Sequence, residues 1–272
     1  MTDMADIADD TLVARHYETF SEGPRLTKSR VRRLEFDTSL HVLGGHLPPG
    51  SALLELGAGH GAYSLHYAHR GHRVTATDLV GANVEAMRAR ADAEGLWAAL
   101  DVRQADATCL KEFGDGEFGA VLCLGPYYHL RTQELRRRAL DECRRVVRAG
   151  GIVAVSYINR PLAVNYLLAT GRALAAEQYV SLAQPDDLRT DYPDDFFSIS
   201  HFSTRESVDA DLQACGFEAV EHAGTDGPSG FFPRVLEDLD EDAYRDYRAY
   251  HLGTGSRAAG TSSHCLAVAR RT

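Results

Sequence analysis

The chain has 272 residues, 44% of them hydrophobic and 25% charged, which is enough to bury a core as one α/β domain with insertions or one domain plus a small cap. Its net charge of −10 argues against a phosphate-backbone partner, which needs clustered Lys and Arg. No apolar run approaches membrane-spanning length, so neither a membrane nor a nucleic acid is expected as a partner.

The opening MTDMADIADD is acidic and lacks an apolar stretch, so no secretory signal is expected there. The five cysteines, Cys109, Cys123, Cys143, Cys215 and Cys265, are widely spaced and form no CxxC pair. That usage points to reduced thiols in cytoplasm, with Cys123 and Cys265 as small core residues. Basic residues gather at Arg25–Arg33 and Arg136–Arg145, and acidic ones at Asp186–Asp195 and Glu237–Asp246. The second basic group falls on a helix and reads as a solvated face. The acidic groups serve solubility or steer a cationic substrate.

Ser51–Leu56 follows the turn LPPG and ends at glycines, which predicts a buried parallel strand. A helix over Gly61–Arg70 stops at Gly71, and HRVTATD forms a second strand ending at Asp78. A helix over Val80–Glu94 and a strand near Ala99–Ala105 follow, the latter ending at Asp106. FGAVLCLG is the fourth strand, Thr132 caps the next helix, and Ile152–Tyr157 is the fifth strand. Thr204 caps a later helix, which leads through Gly216 to a strand, and SSHCLAVAR is the last strand. Residues 158–200 and 225–260 interrupt the pattern and read as insertions covering the sheet edge. The alternation specifies a doubly wound, mostly parallel sheet with right-handed crossovers.

Ligands of such sheets bind beyond the carboxyl ends of the strands, and the unusual residues collect there. Strand one runs into ELGAGHG, strand two into Asp78, strand three into Asp106 and strand four into GPYYHL. Gly57, Gly59 and Gly61 allow unusual torsions and a close ligand approach. They also fit the dinucleotide pattern G-x-G-x-x-G/A, with Asp78 in the zone for ribose hydroxyls, so an NAD-dependent oxidoreductase stays open.

From about residue 48 to 157 the chain resembles the class I S-adenosylmethionine (SAM)-dependent methyltransferases, and more loosely to its end. The resemblance rests on LLELGAGHGAYSLHYAHRGHRVTATDLV, ADAT, AVLCLGPYYHL and VVRAGGIVAVSY. Within that superfamily it is similar to bacterial small-molecule enzymes whose fourth strand ends in Leu-Gly-Pro-x-Tyr-His-Leu. The resemblance implies a seven-stranded Rossmann-like sheet over residues 48–272, preceded by a helical lid segment over 1–47. It implies SAM as cofactor and S-adenosylhomocysteine as product; no metal is expected, since no carboxylate or cysteine completes a site with the histidines His60, His66, His69 and His72.

By the same resemblance, Gly57, Ala58 and Gly59 would hold the methionine part, with Glu55 near its ammonium. Asp78 would bind the ribose, Leu79 the adenine ring and Asp106 with Ala107 the adenine amino group. Leu124 and Gly125 would line the sulfonium, and Tyr17 would close over the cofactor. His129 stands as the candidate base, or equally as a residue that holds the loop. Tyr127 and Tyr128 read as an aromatic wall, a source of a hydroxyl hydrogen bond, or core.

The expected acceptor is an oxygen or nitrogen of a small molecule, an amine or a peptide N-terminus. A SAM-binding module without turnover fits the same residues. Gly125 stands where methyltransferases of base amino groups carry Asn or Asp, which again argues against a nucleic-acid substrate.

Overall fold

The computed structural model describes residues 28–162, 200–254 and 259–272, together with Leu26, Asn165 and Arg257. The expected lid residue Tyr17 and most of the insertion 158–200 lie outside the described residues.

Among the described residues eight strands form one sheet: β1 (Ala52–Leu56), β2 (Arg73–Asp78), β3 (Leu100–Gln104), β4 (Phe118–Cys123), β5 (Val147–Asn159), β6 (Phe202–Ser203), β7 (Phe217–Gly224) and β8 (His264–Arg271). The helices are α1 (Arg30–Gly44), α2 (Ala62–His69), α3 (Gly81–Ala93), α4 (Pro126–His129), α5 (Gln133–Val146), α6 (Arg205–Ala214), α7 (Pro233–Asp238) and α8 (Glu241–Gly253). The strand order is β3-β2-β1-β4-β5-β8-β7, with β6 paired to β5 alone. Pairing is parallel except where β8 meets β5 and β7.

The strands form because their side chains alternate between two buried faces rather than between core and water. Leu53, Leu122, Ala154 and Leu266 pack toward α1, α2 and α3. Leu54, Val121, Val155 and Ala267 pack toward α5 and α6. Thr132 caps α5 by accepting from Leu135 N–H, and Thr204 opens α6 in a reciprocal capping box with Ser207.

Two features differ from the expected pattern. Strand β5 starts at Val147 rather than Ile152, and its register against β4 shifts between Phe118 and Ala120. The pair Phe202–Ser203 adds a short eighth strand, which pairs with Ile158 and Asn159 at the carboxyl end of β5.

Within 225–260, a turn of 3-10 helix (Gly227–Phe231) precedes α7 and α8, which pack on α1. Buried Asp37 of α1 holds Arg33 at 3.1 Å and Arg248 of α8 at 2.6 Å. Arg30 donates its backbone N–H to Glu237 at 2.7 Å, and its guanidinium caps carbonyls at the end of α7. The exposed partner Glu241 adds little, since solvent screens such a pair. Among the described residues no helix is long and apolar enough to cross a membrane.

Candidate active site

The β1–α2 loop alternates between ordinary and left-handed backbone: Gly57, Gly59 and Gly61 have φ of 63°, 56° and 76°. Only glycine adopts that conformation without strain, which explains the glycine at every second position. The loop is tied to β2 by Ala58 N–H, which donates to Thr77 O at 2.9 Å. Asp78, 6% exposed, fixes it a second time. Its Oδ2 accepts from Gly59 N–H at 2.8 Å, and its Oδ1 accepts from Val80 N–H at 2.9 Å and Asn83 Nδ2 at 3.1 Å.

Strand β3 delivers the second carboxylate beside the first, because Ala105 N–H donates to Asp78 O at 3.1 Å. Asp106 accepts from the backbone N–H of Thr108 at 2.8 Å and from its hydroxyl at 2.9 Å, which holds the carboxyl in a tight local turn. Leu79 and Ala107 flank the two acids and are half-buried. Gln104 Nε2 donates to Leu79 O at 2.8 Å and so fixes the backbone between them.

Strand β4 closes the arc from the other side. A Cβ on Gly57 would lie 2.7 Å from Cδ and Cγ of Pro126, so the two loops touch where a side chain cannot fit. Gly125 approaches Gly57 from the same side, its Cβ direction lying 3.5 Å from Gly57 O. The structure therefore brings Gly57, Ala58, Gly59, Asp78, Leu79, Asp106, Ala107, Leu124 and Gly125 onto one continuous edge. Glu55 lies beneath it, 2% exposed, and accepts a hydrogen bond from Ser64 of α2.

Burial, with a smaller contribution from the negative charge of Asp78, pushes the Glu55 carboxyl up to about 8. Below about 4.5 both folded and unfolded chains hold this proton. Between there and about 8 only the folded chain does, so stability falls as pH rises through that window. Glu55→Gln keeps the shape without the ionisation. It is expected to flatten the stability–pH curve over that window in urea denaturation at several pH values; an unchanged slope would contradict this assignment.

The α4 turn divides the tyrosines. Tyr128 is 5% exposed, and its ring centroid lies 4.6 Å from that of His129, itself 7% exposed. The carbonyl of Tyr128 accepts from His201 N–H at 2.6 Å. Burial, with help from Arg136 and Arg160, lowers His201 to about 3, so it stays neutral. Tyr127 takes the opposite direction, and its reading as a pocket wall is corrected. It is 1% exposed and packs with Leu140, Cys143 and Leu212 on the α5–α6 face. Its hydroxyl donates to Asp211 at 3.0 Å, and Asp211 also holds Arg137 and Gln133. Tyr127→Phe is expected to cost about 1.5–3 kcal/mol of stability, the range for a hydrogen bond to a charged group, with SAM affinity unchanged in calorimetry.

Sequence reasoning missed Asn83, Ser64, Thr108 and Asp211, which set the site from behind. Thr108 alone had a local signal, standing two residues after an Asp in the spacing of a side-chain turn. The expectation of no metal site stands beside the finding that no cluster of three ligating side chains occurs among the described residues.

The chain is similar to known proteins. Residues 54–155 fit the family model described as a methyltransferase domain. That match covers less than half of the chain. A ubiquinone biosynthesis O-methyltransferase of Pseudomonas aeruginosa is 35% identical over 111 residues, which cover 41% of this chain and 46% of that enzyme. The chain thus spans about half the length of the curated relatives it matches. Among solved structures, the 1,6-didemethyltoxoflavin-N1-methyltransferase of Burkholderia thailandensis, with S-adenosylhomocysteine bound, is 16% identical with a TM-score of 0.56. That likeness covers 97% of this chain and 87% of the other. The [4+2]-cyclase SpnF is 20% identical with a TM-score of 0.57 over 87% of this chain and 81% of its own. These structural likenesses establish the fold. The matched segment of the methyltransferase domain contains Glu55, the glycine loop, Asp78, Asp106 and Gly125.

Proposed function

We propose that the chain transfers a methyl group from SAM to an oxygen or nitrogen of a small molecule. The observation that carries this reading is the arc of loops at the carboxyl edge. A glycine turn is pinned by Asp78, a second oriented carboxylate stands one strand away, and Gly57 is in contact with the Gly125–Pro126 turn. This donor and acceptor set fits SAM, which offers hydroxyls, an amino group and an ammonium to acids, and a long chain to a closely approached backbone.

When bound, SAM supplies a methyl group on a positively charged sulfur, already activated toward a nucleophile. The remaining work falls to this chain: Asp78 would accept from the ribose, Asp106 from the adenine amino group and Glu55 from the ammonium. Leu79 and Ala107 would enclose the base, and Leu124 with Gly125 would leave room for the acceptor to approach in line. Tyr128 and His129 would form the wall behind the acceptor, and Tyr17 would cover the cofactor.

Segment 1–47 and the insertions 158–200 and 225–260 would close the acceptor side. The packing of α7 and α8 on α1 supports that arrangement for the second insertion. The relative's printed name supports an oxygen acceptor, and the acidic insertions support a cationic amine or peptide N-terminus.

The test is S-adenosylhomocysteine formation, followed by mass spectrometry, with the full chain, SAM and a panel of phenols, alcohols, amines, acids and short peptides. Acceptor-dependent product is expected. SAM binding without product from any panel member would leave a binding module instead.

A further inference from the structure

The carboxyl edge continues past β4 and β5 to β8 and β7, where a second polar group lies apart from the cofactor arc. Strand β8 runs antiparallel to β5, so its first residue, His264, stands at that edge opposite Ile158. Strand β7 ends at Gly224, and Asp226 follows it there, 4% exposed. One carboxylate oxygen accepts from the backbone N–H of His264 at 3.1 Å, and the other meets its Nδ1 at 3.2 Å. A carboxylate accepts through both oxygens, so Nδ1 is the donor in this contact and Nε2 is turned away from Asp226. Among the described residues Nε2 makes no hydrogen bond, and the side chain is 16% exposed.

The direction of the ring follows from strand alternation. Leu266 packs on the α1–α2 face, and His264, two residues earlier, shares that face. Leu124, at the end of β4, packs against the same cluster. Leu124 and the imidazole are two strand spacings apart across β5, about 10 Å, on the same face of the carboxyl edge. A further buried histidine lies against the turn that follows Asp226. His251 of α8 is 1% exposed, packs on Gly227, stacks with Tyr247, and has Nε2 buried without a partner.

We propose that His264, oriented by Asp226, takes the proton of a hydroxyl-bearing acceptor, which makes a small alcohol or phenol the substrate class. This rests on the methyltransferase reading above. A hydroxyl keeps its proton until the transition state, whereas a neutral amine needs no base to attack and a carboxylate has no proton to lose. The acceptor oxygen forms its bond to the methyl carbon as the carbon–sulfur bond breaks, and that electron pair stays with sulfur. The hydroxyl proton passes to Nε2 of His264, and the imidazolium returns it to water. His264 fits this role better than His129, whose buried ring packs on Tyr128. Asp226 is a positioning residue.

The test uses the full chain. Nitrogen-15 NMR without cofactor should find His264 protonated at Nδ1 and bare at Nε2, and Asp226→Asn should shift it toward the other tautomer. With SAM and the acceptor panel, methyl should appear on hydroxyl oxygen. His264→Gln should lower kcat on the order of 100-fold or more, with the KM for SAM unchanged. Asp226→Asn should lower kcat roughly ten-fold, again with the KM for SAM unchanged.

A ring protonated at Nε2 in the wild type, full kcat in His264→Gln, or transfer confined to amines or carboxylates would overturn the proposal. Those results leave the methyltransferase reading standing. Failure of SAM to bind in calorimetry would remove both.

Discussion

Gly57→Ala is expected to lower the melting temperature and weaken SAM binding at least ten-fold, though glycine and alanine differ by one methyl group. Two penalties combine. The backbone at this position has φ +63°, where a side chain costs about 1–2 kcal/mol. The added Cβ would also stand 2.7 Å from the Pro126 ring, which is rigid, so the two loops must separate, at about 1–3 kcal/mol. Gly71→Ala is the control, since Gly71 has φ +81° and nothing within 4 Å of its Cβ direction. It bears the torsional cost alone. Equal losses in the two variants, or unchanged SAM affinity in Gly57→Ala, would show that the contact between the loops does not shape the site.

Asp78→Asn is expected to weaken SAM binding by about 1.5–3 kcal/mol, the range for a hydrogen bond to a charged group. The change looks conservative and is not. Both carboxylate oxygens accept from neighbouring donors, one from Gly59 N–H and the other from Val80 N–H and Asn83. An amide presents an NH2 to one of those sides in either orientation, so a donor must face a donor. The glycine loop loses its anchor together with the negative charge. Calorimetry with SAM reads the first effect, and thermal denaturation without ligand reads the second. Full affinity with a lowered melting temperature would make Asp78 a structural residue only.

Much of this architecture was legible in the residues, for identifiable reasons. The runs LLEL, AVLC and IVAV are apolar almost throughout, the pattern of strands buried on both faces. Thr132 and Thr204 stand where helices begin, and both cap as their residue type suggests. The proposed cofactor side was legible because its chemistry sits at strand ends, one residue or one turn beyond an apolar run.

The pairings beyond the glycine arc were not, because their partners come from distant segments. Asp226 and His264 are 38 residues apart and meet only when β7 and β8 pair antiparallel. Tyr127 and Asp211 are separated by 84 residues. Nothing in LCLGPYYHL shows that the single turn after Pro126 sends one tyrosine to the α5–α6 face and keeps the next beside His129. The short strand β6 has no periodicity to read at two residues, and only the open end of β5 recruits it.

The account stands on the glycine arc as a site for SAM rather than for a dinucleotide, since both fit G-x-G-x-x-G/A followed by an acid. The most direct measurement is a calorimetric titration of the full chain with SAM and, separately, with NADH. Saturable one-to-one binding of SAM, lost in Asp78→Asn, with no heat from NADH, is the predicted result. Saturable NADH binding with no response to SAM would contradict it.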